Sequence, residues 1–275
     1  MSGTTTATQG YVSDIPITRP TLGHAVLSEW TKVRTVRSTV WSLIATVVVT
    51  VGIGMLLASN TDDGDYSFQP FTLPALMGIM LGQVGVITLG VLMVASEHGT
   101  GLIRTTFTAA PDRYRVLTAK YLVFAALAFA VVLGSVTLVT LMTMVLHAGP
   151  GAGPHAFGRA VSGLVGGSAY VTLLGLLGLA VGALLRHSVG AVTTMLGALA
   201  LPAIMPTFLF IWERTLHVGQ LLLSYSAPVG LASVFGMPAT ELDGPQSGLP
   251  QLLVLAGITA AAVFASYRSV AARDV

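Results

Sequence analysis

At 275 residues the chain could hold one or two soluble domains, but its composition excludes them. AVILMFWYC residues make up 53% of it and charged residues only 9%, against roughly 25% charged in soluble domains. A net charge of +2 without a basic tract offers nothing to nucleic acid, and the lack of cysteine excludes disulfides, thiolate metal sites and thiol nucleophiles. Several apolar runs exceed the roughly 20 residues that cross a bilayer. The expected class is therefore an all-α polytopic membrane protein.

Residues 1–20 are polar and Thr-rich and lack the charged-then-apolar pattern of a secretory signal, so they read as a mobile cytoplasmic tail. Residues 21–270 read as one six-helix transmembrane domain, and 271–275 as a second tail. Ahead of the first span, Leu22, Val26, Trp30 and Val33 recur at helical spacing, with His24, Ser28, Lys32 and Arg34 off that face. The pattern fits an amphipathic interfacial helix lying along the inner surface, in preference to a plain cytoplasmic extension of the first span.

The spans follow at about Thr39–Ser59, Phe71–Ala95, Val116–Leu146, Ala160–Leu185, Val189–Ile211 and Leu249–Tyr267. The second carries Gly78, Gly82, Gly85 and Gly90, small residues that let helices approach closely. Pro202 and Pro206 should kink or break the fifth. Arg186–Ser188 is a tight turn between the fourth and fifth spans. The apolar but interrupted piece Leu216–Phe235 reads as a re-entrant or extracellular helical segment before helix six. With the N-terminus inside, eleven of the thirteen Lys and Arg residues lie inside and only Arg159 and Arg214 outside. The positive-inside rule then gives an N-in, C-in topology in the cell membrane.

The polar island Ser96–Lys120 holds four of the thirteen basic residues: Arg104, Arg113, Arg115 and Lys120. Gly99-Thr100-Gly101 should break the second span's helix at the membrane surface. Leu102, Ile103 and Phe107 give a short apolar face, and Pro111-Asp112 suits the first turn of a new helix. Such a loop could fit a groove on a partner, or its charges could simply fix topology and meet anionic headgroups.

The chain has just two lysines, Lys32 and Lys120, and neither follows a glycine, so no phosphate-binding loop exists and ATP hydrolysis by that route is excluded. Beyond the island the span interiors hold no Asp, Glu, Lys, Arg or His, which argues against ion-coupled transport. Gln83 is the most polar side chain there, and reads as an interhelical hydrogen bond or a point on a translocation path. No His-Glu-x-x-His set or buried base supports hydrolysis. A membrane domain without its own motor or catalysis implies a partner.

Here the chain resembles the permease subunits of ABC-2-type ATP-binding-cassette transporters. The likeness rests on SEWTKVRTVRSTVW leading into span one, on Glu97-x-Gly99-Thr100…Arg113…Lys120 after span two, and on LLGLLGLAVGALLRHSVGAVTTM across spans four and five. It covers about residues 21–270. The resemblance implies a non-enzymatic transmembrane subunit of an exporter, with no cofactor of its own; a separate ATPase would bind ATP and Mg. It makes the loop after span two the coupling-helix region, with Glu97, Gly99, Thr100, Leu102, Ile103, Arg104, Phe107, Arg113 and Lys120 at or near the ATPase contact. It also implies a second copy of the chain or a related permease, and an apolar or amphipathic solute. The minimal turn at Arg186–Ser188 departs from a second coupling contact. A non-transporting anchor or sensor subunit, and a secondary transporter, stay open as alternatives.

Overall fold

A computed structural model describes residues 21–62, 66, 69–100, 113–147, 157–237 and 248–272. These form α1 (Leu22–Thr35), α2 (Arg37–Ser59), α3 (Leu73–Thr100), α4 (Arg113–Leu146), α5 (Phe157–Leu185), α6 (Ser188–Leu209), α7 (Leu216–Ser224), α8 (Ala227–Val234) and α9 (Leu249–Ala272), with a 3₁₀ turn at Glu213–Thr215. Among the described residues there is no strand. Six helices (α2 to α6 and α9) are long and apolar enough to cross a membrane, the layout of a multi-pass membrane protein. Residues 1–20 and 273–275 lie outside the described residues, while Ala271 and Ala272 of the expected second tail belong to α9.

The two most enclosed spans are α3 and α5; α6 is the most open. Glycine sets how closely they pack. A Cβ at Gly90 would fall on the carbonyl oxygen of Gly175, and one at Gly78 on that of Thr50. Gly82 and Gly85 receive the hydroxyls of Thr50 and Thr46 in the same way. The α2–α3 seam is thus a row of threonines set into a row of glycines, and α3 and α5 meet backbone to backbone. Contacts this close are how apolar helices gain attraction in a lipid solvent that offers them no hydrophobic drive.

At one end of the bundle, His147 Nε2 lies 2.8 Å from the Ala58 carbonyl oxygen and ties the end of α4 to the end of α2. Its ring packs on Tyr66 with centroids 4.6 Å apart, and Tyr66 packs on Phe71 at 5.1 Å. At the same end α8 lies along α5: Gly230 meets Tyr170, and Gly163 meets Phe235. Rising numbers on one helix meet falling numbers on the other, so the two are antiparallel.

Three local expectations are corrected. The helix of α3 runs on through Gly99 and Thr100 rather than breaking there, because one glycine costs a helix only about 1 kcal/mol. The break expected at Pro202 and Pro206, as distinct from a kink, does not occur: both sit within α6, which continues to Leu209. Their four-residue spacing means that the carbonyl denied a donor by Pro206 is that of Pro202, so the gaps fall along one side of the helix. Finally, Gln83 bonds within its own helix, with Nε2 donating to the Met80 carbonyl at 2.8 Å, and its Oε1 is buried without a partner. The turn between α5 and α6 is as tight as expected, with Arg186 in the left-handed region at φ 54°.

Candidate functional site: a closed ring of charge at the ends of three helices

The described part of the island's surroundings centres on four side chains from three helices. Lys120 Nζ on α4 donates to Glu29 Oε2 on α1 at 2.6 Å, to Glu97 Oε1 on α3 at 2.9 Å and to the Met93 carbonyl at 3.2 Å. An ammonium has three donors, and all three are used. Lys32 Nζ on α1 donates to Glu29 Oε1 at 2.7 Å and to Glu97 Oε1 at 3.0 Å. The charges therefore alternate around a closed ring of Glu29, Lys120, Glu97 and Lys32, with zero formal sum. Glu29, Glu97 and Lys120 are only 2%, 8% and 3% exposed, and Lys32 forms the solvent-facing corner.

The ring is affordable only because it is complete. Taking one such charge out of water carries a penalty of several kcal/mol, which mutual attraction offsets when partners are close and fully hydrogen-bonded. Burial works against the Lys32 ammonium, yet Glu29 and Glu97 outweigh it and hold its pKa above the usual lysine value.

Each helix presents its member for a local reason. In α1, the face towards the bundle is Val26, Glu29, Lys32 and Val33, with Glu29 and Val33 fully enclosed. The expected stripe is thus rotated: Val33 is buried and Val26 half-buried, whereas Leu22 and Trp30 are exposed. In α3, Glu97 is available because the helix does not end at Ala95. In α4, Lys120 lies two turns from the start, so its long stem crosses apolar packing to reach the carboxylates.

The opposite side of the α4 entry is bolted to α9. Tyr121 OH and Ser266 Oγ are 2.8 Å apart, as are Thr118 Oγ1 and Tyr267 OH. Tyr267 is also stacked between Tyr114 and Tyr121, at centroid distances of 6.2 and 5.9 Å. The first turns of α4 therefore hold α1, α3 and α9 together.

Of the residues expected at a partner contact, Glu97 and Lys120 are brought together but enclosed. Their bond links two positions 23 residues apart, one on each side of the loop after α3. Arg113 is half-buried at the start of α4. Gly99 and Thr100 lie in the last turn of α3. Leu102, Ile103, Arg104 and Phe107 lie outside the described residues. Glu29 was missed by reading only apolar positions, although its place between Val26 and Val33 on the helical period is visible in the sequence. Gln83 is remote from the ring. Among the described residues no group of three His, Asp or Glu could hold a metal ion.

No family model, no curated protein and no solved structure matches the chain.

Proposed function

We propose that the chain is the transmembrane permease subunit of an ATP-driven exporter of the ABC-2 type, working with a separate ATPase. The observation that carries this reading is the charge ring. It draws both ends of the loop after α3 to each other and to α1, a rigid mount from which movement of an external partner would be passed to several spans at once. A chain with two lysines and no glycine before either must take its energy from elsewhere.

On this reading the basic end of the bundle faces the cytoplasm, α1 lies at the inner surface of the cell membrane, and α7 with α8 forms a re-entrant hairpin at the outer end. The loop between α3 and α4 supplies the coupling contact, with Arg113 beside it. A second permease copy completes the pathway for an apolar or amphipathic solute. ATP and Mg belong to the ATPase, and this subunit catalyses nothing.

The test is co-purification followed by activity. Tagged protein should bring down an ATPase carrying a Gly-Lys-Ser/Thr loop. The double variant E97Q/K120M, which keeps the ring neutral but cuts the tie between the loop's ends, should retain the ATPase and lose solute-stimulated hydrolysis. Full stimulation in a correctly inserted double variant, or no ATPase bound at all, would overturn the proposal.

A further inference from the structure

The outward side of α1 is divided as sharply as the inward one. Leu27, Trp30 and Arg34 recur at spacings of three and four residues and form one stripe. His24, Ser28, Thr31 and Thr35 form another, and all seven are exposed. The helix thus shows protein a charged and apolar face, water a hydroxyl face, and a third environment a stripe of leucine, tryptophan and arginine. After a one-residue break at Val36, Arg37 and Trp41 share a face at the start of α2 and are exposed as well. Leu27 is 64% exposed and Trp41 68%.

We infer that this face, Leu27, Trp30, Arg34, Arg37 and Trp41, is a binding surface for anionic phospholipid in the leaflet at the basic end of the bundle. Two observations choose lipid over a protein groove. First, α2 is a membrane-length apolar helix and α1 joins it within one residue, so the stripe stands at the level where a span leaves the bilayer. Tryptophan is enriched at that depth.

Second, the charge is one-sided. The sole acid of α1, Glu29, is turned inward and held by two lysines, while Arg34 and Arg37 have no ion-pair partner among the described residues. What faces outward from the elbow is only positive charge on an apolar bed. An anionic headgroup fits it: phosphate for the guanidinium groups, acyl chain for leucine and indole. The inference depends on the spans being in a membrane and is independent of the transporter reading.

The test uses full-length protein with Trp41→Phe and Trp212→Phe, leaving Trp30 as the reporter. It is reconstituted in vesicles of phosphatidylcholine and phosphatidylglycerol at equal mole fraction, with bromine on the acyl chains of one lipid or the other. Brominated phosphatidylglycerol should quench Trp30 the more strongly. Arg34→Gln and Arg37→Gln should each reduce that preference, by up to about five-fold per arginine. Both side chains are exposed, so folding is not at stake. Arg268→Gln, exposed at the same end but on α9, should leave the preference unchanged. Equal quenching by the two lipids, a preference that survives R34Q/R37Q, or protection of Trp30 by a bound protein would each overturn the assignment.

Discussion

Replacing Lys120 with methionine removes one charge from the ring at little change in volume. Glu29 and Glu97 would then share Lys32 alone, leaving one uncompensated carboxylate in a site where both acids are under a tenth exposed. Breaking a buried pair from one side costs about 3–5 kcal/mol, a large part of the stability of most folded proteins. Adding Glu97→Gln restores neutrality, because Glu29 and Lys32 remain paired at 2.7 Å. Removing both partners of a buried pair is often nearly neutral, so E97Q/K120M should be more stable than K120M despite carrying one substitution more. Equilibrium unfolding in mixed micelles, with the mole fraction of SDS as denaturant and tryptophan fluorescence as the signal, measures all three proteins. A K120M variant within about 1 kcal/mol of the parent, or a double variant no better than the single, would refute the idea that the ring stands or falls by its charge balance.

Gly90→Val should prevent α3 and α5 from closing and cost at least about 1–3 kcal/mol, whereas Gly197→Ala, with open space at its Cβ, should be neutral or slightly stabilising; the same unfolding assay separates them. Because the chain contains no cysteine, single cysteines at Asp62 and Arg268 can be labelled with an impermeant maleimide, and they should react from opposite sides of the membrane, Arg268 from the cytoplasmic one. Tyr121→Phe loses the link to Ser266 and should cost about 1 kcal/mol, while Ser266 keeps its bond to the Val263 carbonyl. The raised pKa of Lys32 stabilises the fold fully below the ordinary lysine value of 10.5, and that contribution is lost as pH rises through the higher folded value. Stability should therefore show no Lys32-dependent change across neutral pH, and Lys32→Met should weaken the alkaline limb of the pH profile.

The spans were legible because their lengths are dictated by apolar runs. The expected Thr39–Ser59 and Val116–Leu146 fall within α2 and α4, and Leu249–Tyr267 begins where α9 does. The glycines of the second span could be read as close-approach positions, and Gly78, Gly82, Gly85 and Gly90 are such positions. What could not be read was pairing across distance. Glu29 has no visible purpose in the sequence until Lys120, 91 positions later, is placed beside it. Likewise Glu97 and Lys120 read as loop charges, since nothing local says that α3 continues past Ala95 or that a lysine two turns into α4 points at a carboxylate. The helix end near Gly99 was misjudged for a related reason: a local propensity term of about 1 kcal/mol yields to the packing of neighbouring helices.

The same 91-position gap sets an order of events during synthesis. Glu29 and Lys32 leave the ribosome early and can pair with each other within α1, but Glu29 cannot meet its second partner until the chain has been made past Lys120. Once Glu97 is made the site holds one acid in excess, and at about 5–20 residues per second the 23 positions to Lys120 keep it so for on the order of 1–5 seconds. Through that interval this end of α1 has little reason to settle on the bundle, and water or lipid headgroups must serve the surplus carboxylate. Arrival of α4 ends the wait for α1 and α3 together, which makes the insertion of the third span the step at which this end of the protein is locked.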